Sequence, residues 1–177
     1  MTTDEILHKL AARCSVSEQC LSDVESKLAK YDLNEEERTH ILRHLVEEGY
    51  VNEERYAEAF VRDKYRFNKW GRIKIAQGLR IKGINKETIS SAMEAIDEQE
   101  YLNILHDLIK SKRKSTHGKN DYEINGKLVR FATGRGFEFD AIRTCLGAGA
   151  DDYEMDWRPQ RTAISPLLQG MQKTPHA

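Results

Sequence analysis

IKIAQGLRIKGINKETISSAMEAI, residues 73–96, is the middle member of three segments that can be laid over one another. The others are VESKLAKYDLNEEERTHILRHL (24–45) and LVRFATGRGFEFDAIRTCLG (128–147). Taking Leu33, Ile84 and Phe137 as equivalent gives offsets of 51 and 53 residues, and further apolar positions then coincide. Val24, Ile75 and Leu128 form one set; Leu28, Leu79 and Ala132 a second; Leu42, Met93 and Leu146 a third. Asp32, Gly83 and Gly136 stand just before the Leu33 set. These residue types tolerate the left-handed backbone that ends a helix. Asn34 and Asn85 follow as expected N-caps, the first with Glu37 at capping-box distance. Glu138 breaks that pattern in the third segment. Each segment therefore reads as helix, turn, helix.

A further helix precedes each pair. Asp4–Arg13, Asn52–Phe67 and Gln99–Lys112 carry apolar residues at helical spacing, such as Tyr56, Ala57, Phe60 and Val61 in the second. Nothing alternates with the period of a strand. The expected fold is all-α: three tandem three-helix repeats stacked into an elongated, curved array. A unit of about fifty residues buries little by itself, and stacking covers its exposed face. The repeats are assigned to 1–51, 52–97 and 98–150. All three prolines lie beyond residue 157, and 151–177 read as a flexible C-terminal tail. SKRKSTHGKN (111–120) contains no apolar residue and reads as a basic loop or frayed helix end.

The net charge of −1 conceals alternating blocks. Residues 1–60 carry −7, 61–86 carry +8, 87–109 carry −6, 110–135 carry +6, 136–157 carry −5 and 158–177 carry +3. Between Lys64 and Lys86 there are eight lysines and arginines and no acid: Lys64, Arg66, Lys69, Arg72, Lys74, Arg80, Lys82 and Lys86. Such a run points to a polyanion or an acidic protein surface. Lys112, Arg113, Lys114, Lys127, Arg130 and Arg135 form a second candidate cluster. Ile75 and Leu79 define the inward side of their helix, so Lys74 and Arg80 are expected to point away from the core. Trp70 is expected to staple a helix entrance into the core, and Tyr56, Phe60 and Tyr65 to pack inward.

Other chemistries have little support. His40 and His44 share an i, i+4 spacing, but residue 41 is Ile and no HExxH motif results. Gly134 and Gly136 lack a following GK[ST], so no nucleotide loop is formed. Cys14, Cys20 and Cys145 have neither metal spacing nor a CxxC motif and suit a reducing compartment. No apolar run approaches the roughly 20 residues of a membrane span, and the N-terminus lacks the pattern of a signal peptide. No metal, cofactor or catalytic constellation is expected, and the chain reads as a non-enzyme.

GYVNEERYAEAFVRDK (49–64), KWGRIKIAQGLRIKGI (69–84) and the threefold repeat resemble the RecX family of regulators of the RecA recombinase, over roughly residues 3–150. The resemblance implies a cytoplasmic, monomeric bacterial protein acting in DNA recombination and repair and in the SOS response. It would lie in the groove of the RecA filament on single- or double-stranded DNA, with weak affinity for DNA alone. It would restrain ATP hydrolysis, strand exchange and co-protease activity, or promote disassembly. Family members commonly carry an acidic residue where this chain has Gly78, before Leu79. The alternative is an autonomous DNA-binding module that uses the same basic residues without RecA.

Overall fold

The computed structural model describes residues 1–147, and the expected tail at 151–177 lies outside them. Among the described residues there are nine α-helices and no strand. They fall in threes: α1 (Thr3–Val16), α2 (Leu21–Leu28) and α3 (Glu35–Glu47); α4 (Glu53–Arg66), α5 (Arg72–Ile81) and α6 (Lys86–Glu94); α7 (Glu98–Lys114), α8 (Asp121–Gly134) and α9 (Phe139–Leu146).

The periodic apolar residues make the core as expected. Val24, Ile75, Leu128, Leu79 and Ala132 are fully buried, and Leu28, Ile84 and Phe137 nearly so. Leu42, Met93 and Leu146 are only partly buried. In the first two units the deepest position lies one residue earlier, at Ile41 and Ala92, where the helix presents its face most directly to the unit's centre. Gly83 (φ 79°) and Gly136 (φ 90°) adopt the left-handed conformation, but Asp32 does not. Instead α2 stops at Leu28, and the chain reaches α3 through a longer turn that leaves Leu33 partly exposed. The stretch 111–120 is not all loop, since α7 continues to Lys114 and carries its basic residues on the final turns. Cations suit that end of a helix, where the backbone carbonyls face outward.

Helix ends reveal how the units stack. Thr2, Asn34, Asn52, Asn85, Asp97 and Asn120 each accept a bond from the backbone of their own first turn. The middle helices α2 and α5 have no side-chain cap, because Cys20 and Gly71 occupy the cap positions. Both borrow from the following unit. Glu53 accepts the Leu21 N–H at 3.3 Å, and the Tyr101 hydroxyl accepts the Arg72 N–H at 3.0 Å. A cap is worth about 1 kcal/mol. These two helices therefore gain it only when the next unit is in place. The last middle helix, α8, carries its own cap in Asn120.

Hydrogen bonds and ion pairs join unit 1 to unit 2 and unit 2 to unit 3; among the described residues none joins unit 1 to unit 3. The array is serial rather than a closed bundle.

Candidate interaction surface

The junction of units 2 and 3 is built on two buried glycines. A Cβ on Gly71 would lie 2.2 Å from the carbonyl carbon of Gly136, and one on Gly136 would lie 2.3 Å from Lys74 Cβ. Absence of side chains lets the start of α5 sit directly on the α8–α9 turn. The Gly71 N–H donates to the Arg135 carbonyl at 2.8 Å, and the Ile73 N–H to the Gly136 carbonyl at 3.0 Å. Around them, Tyr101 donates to Glu138 at 3.0 Å while Arg72 bonds Glu138 at 3.2 Å and also pairs with Glu98. No acid occupies the first turn of α5, so these two carboxylates supply the negative charge its positive end favours. Burial opposes the charge on Arg72. The bond to Glu98 and the charges of Glu138 and Glu98 outweigh it and raise its pKa. For Tyr101, burial foremost drives the hydroxyl pKa far above its ordinary value.

Beside this seam stand two sets of cations held against aromatic rings. Lys64 and Lys74 place their Nζ atoms 4.7 and 4.5 Å from the centre of the Trp70 ring. The tryptophan packs edge-on against Phe60, with ring centres 6.4 Å apart. Gly78 makes room for this stack, since a Cβ there would come within 2.9 Å of Phe60 Cζ and 3.6 Å of the Trp70 ring. On unit 3, Lys112 and Arg135 approach the Phe131 ring at 5.0 and 5.5 Å. Arg135 also donates to the Asn68 carbonyl at 3.1 Å, crossing back to unit 2. A cation–π contact contributes about 0.5–1 kcal/mol at such sites. Its electrostatic character matters more here. An ion pair cancels a charge, whereas an aromatic face holds a cation in place and leaves it positive.

That distinction sorts the fourteen candidates. Arg66 is paired with Glu100 at 2.8 Å, Arg72 with Glu98 and Glu138, and Lys82 with Asp23 at 2.6 Å. Their charge is spent largely within the molecule. Lys64, Lys74, Lys112 and Arg135 rest on rings. Lys74 does not simply point away from the core, because its stem is pressed against Gly136. Lys69, at φ 56°, donates to the Arg66 carbonyl at 2.7 Å. Arg113 bonds Asn125, and Lys127 bonds the His117 carbonyl and lies 3.7 Å from Glu123. Arg80, Lys86, Lys114 and Arg130 are exposed and have no ion-pair partner among the described residues. The basic segments of units 2 and 3, far apart in sequence, thus meet across Gly71 and Gly136. Arg80, Lys82 and Lys86 lie at the opposite end of α5, toward unit 1.

The residues that build the seam, Glu98, Tyr101 and Glu138, are not among the basic candidates. A signal was present: NEERY (52–56) and DEQEY (97–101) each place a glutamate after the cap and a tyrosine three residues later. Glu53 and Glu98 both reach the start of the preceding unit's middle helix, and Tyr56 and Tyr101 are both buried beside it.

Among the described residues no cluster of three metal-ligating side chains occurs, and the three cysteines are free thiols. No described helix is long and apolar enough to cross a membrane.

Three successive three-helix units, joined serially, define a helical-repeat protein. Comparison with known proteins gives the class a family. Residues 52–93 match the model of the RecX second three-helix domain, and 98–146 that of the third. A regulatory protein RecX of Neisseria meningitidis serogroup B is 31% identical over 126 residues, covering 71% of this chain and 78% of that one. A regulatory protein RecX of Oceanobacillus iheyensis is 27% identical over 157 residues, covering 85% of this chain and 56% of the longer relative. The crystal structure of RecX from Lactobacillus salivarius superposes with a TM-score of 0.71 at 21% identity, over 81% of this chain and 94% of that one. The chain belongs to the RecX family.

Proposed function

We propose that this chain regulates RecA nucleoprotein filaments, lying in the filament groove and restraining ATP hydrolysis, strand exchange and co-protease activity. The observation that carries the reading is the seam of aromatic-held, unneutralised cations across units 2 and 3. A filament on DNA offers phosphates and acidic side chains in a repeating line, and a serial array with fixed charges suits such a target. Binding that favours one filament conformation shifts the population toward it, so no catalytic group is required. The seam's glycine contact and the helix cap that α5 borrows from Tyr101 hold the two units in register, which reduces the ordering needed on binding. In this reading the protein is a cytoplasmic, monomeric non-enzyme with weak affinity for DNA alone.

The test is ATP hydrolysis by the cognate RecA, assembled on single-stranded DNA, as this protein is titrated in. Inhibition near or below one copy per RecA subunit, with weak binding to bare DNA, supports the reading. Unchanged hydrolysis with tight, salt-sensitive binding to bare DNA supports an autonomous DNA-binding module instead, a use that the lysines flanking Trp70 would also serve.

A further inference from the structure

The buried apolar residues fall into two separate clusters. One lies wholly within unit 1 and its connection, from Ile6 to Val51. The other runs through units 2 and 3 without interruption, from Tyr56 to Ile142, and takes a single residue, Cys20, from unit 1. The two junctions therefore differ in kind. Units 2 and 3 share a core in which Tyr101 lies 6.5 Å from the Tyr65 ring and 5.3 Å from Phe137. Units 1 and 2 meet through one thiol and a fringe of polar contacts.

Two ion pairs dominate that fringe. Glu18 lies 2.6 Å from Arg55, and Asp23 lies 2.6 Å from Lys82. Ser22 donates to the Lys82 carbonyl at 2.8 Å, and Arg55 also donates to the Gly49 carbonyl at 2.9 Å. Arg55 and Lys82 are 47% and 39% exposed, so salt screens both pairs. Gly49 has φ 73° and nothing within 4 Å of where a Cβ would stand, while Val51, two residues on, is anchored in the unit 1 core.

We propose that unit 1 is a hinged arm, latched to unit 2 by the Glu18–Arg55 and Asp23–Lys82 pairs, whereas units 2 and 3 move as one body. Opening swings about the connection at Gly49–Asn52, withdraws Cys20 from the second core and presents Asp23 and Lys82 to a partner. Apart from Cys20, each side keeps its own apolar cluster, and α2 gives up the bond from its Leu21 N–H to Glu53. The state belongs to the sub-global openings that lie below complete unfolding.

The test is NMR residual dipolar coupling on the full chain, fitted unit by unit, at roughly 0.05 M and roughly 0.5 M salt. At low salt one alignment tensor fits all three units. At high salt, or at low salt in a Glu18→Gln/Asp23→Asn variant, unit 1 requires its own tensor of smaller magnitude while units 2 and 3 keep a common one. A single tensor for all three units under every condition would overturn the hinge. So would separation of unit 3 before unit 1. The salt arm uses the unaltered protein, so the result stands even if the variant folds poorly.

Discussion

Gly71 and Gly136 touch backbone to backbone, with no space for a Cβ on either. Their contact is what lets Lys74 and Trp70 of unit 2 stand beside Arg135 and Phe131 of unit 3. Gly136→Ala must displace the Lys74 backbone and also hold alanine at φ 90°, so a loss of about 1–3 kcal/mol or more is expected. Gly49→Ala, also at positive φ but with nothing within 4 Å, should lose only the conformational penalty of about 1–2 kcal/mol. Urea unfolding of the two variants measures the difference. Equal losses would show that the glycine seam contributes no packing of its own.

Gly78 tests two opposed effects. Alanine is better than glycine inside a helix by about 1 kcal/mol. Here its Cβ would come within 2.9 Å of Phe60 Cζ, the far end of a side chain that can tilt. Gly78→Ala should therefore leave stability within about 1 kcal/mol of the parent while disturbing Trp70. The readout is Trp70 emission in a Trp157→Phe background. An unaltered spectrum would mean that Phe60 absorbs the new methyl without moving the tryptophan.

Tyr56 and Tyr101 predict an alkaline limit to stability. Burial is the main reason both hydroxyls titrate far above their ordinary value of 10, with Cys20 and Asp23 adding to it at Tyr56. At Tyr101 the nearby Glu138 adds to it, while the Arg72 N–H and charge act in the opposite direction. A raised pKa in the folded state gives stability that is complete below the unfolded value and is lost as pH rises above it. Each tyrosine then weakens folding by about 1.4 kcal/mol per pH unit above about 10. Ultraviolet titration should show both remaining un-ionised until the chain unfolds. Full, reversible ionisation near pH 10 in the folded protein would contradict the burial argument.

Asp23 predicts the acid limb. Burial raises its pKa, but hydrogen bonds from Lys82 and Cys20 and the Lys82 charge outweigh this and leave it below the ordinary 3.8. A depressed carboxylate contributes stability above its unfolded pKa and loses it as pH falls through the folded value. At 22% exposure for Asp23 and 39% for Lys82 the pair should contribute no more than about 1 kcal/mol. Asp23→Asn should therefore flatten the acid limb slightly without moving the neutral-pH plateau by more than about that amount. A steep acid limb retained in the variant would assign it to other carboxylates.

Much of this molecule was legible in its sequence, and the reasons are physical. Val24, Ile75 and Leu128 recur because each unit needs the same inward contact, so the repeat and the all-α fold could be read directly. Asp32 misled because a residue that tolerates the left-handed conformation is not obliged to adopt it when a longer turn is available. The basic residues were visible as a list but not as a surface. Nothing local to Arg66, Arg72 or Lys82 announces that Glu100, Glu138 and Asp23 will neutralise them. Those partners arrive from 34, 66 and 59 residues away. The missing caps at Cys20 and Gly71 were a readable clue to the junctions, because the free N–H groups of an uncapped helix start inside a repeat call for an acceptor from its neighbour.

In the proposed function it is the aromatic-held cations of the unit 2–3 seam, and not basic residues in general, that engage the filament. Inhibition of RecA ATP hydrolysis by a Lys64→Gln/Lys74→Gln/Lys112→Gln variant tests it most directly, against a variant of equal charge loss in unit 1, Lys9→Gln/Lys30→Gln/Arg43→Gln. With about 0.5–1 kcal/mol lost at each of the three contacts, the seam variant should need roughly ten- to a hundredfold more protein for half-inhibition. The unit 1 variant should stay close to the parent. Equal losses in the two variants, or half-inhibition by the seam variant at the parent's concentration, would rule the seam out as the contact.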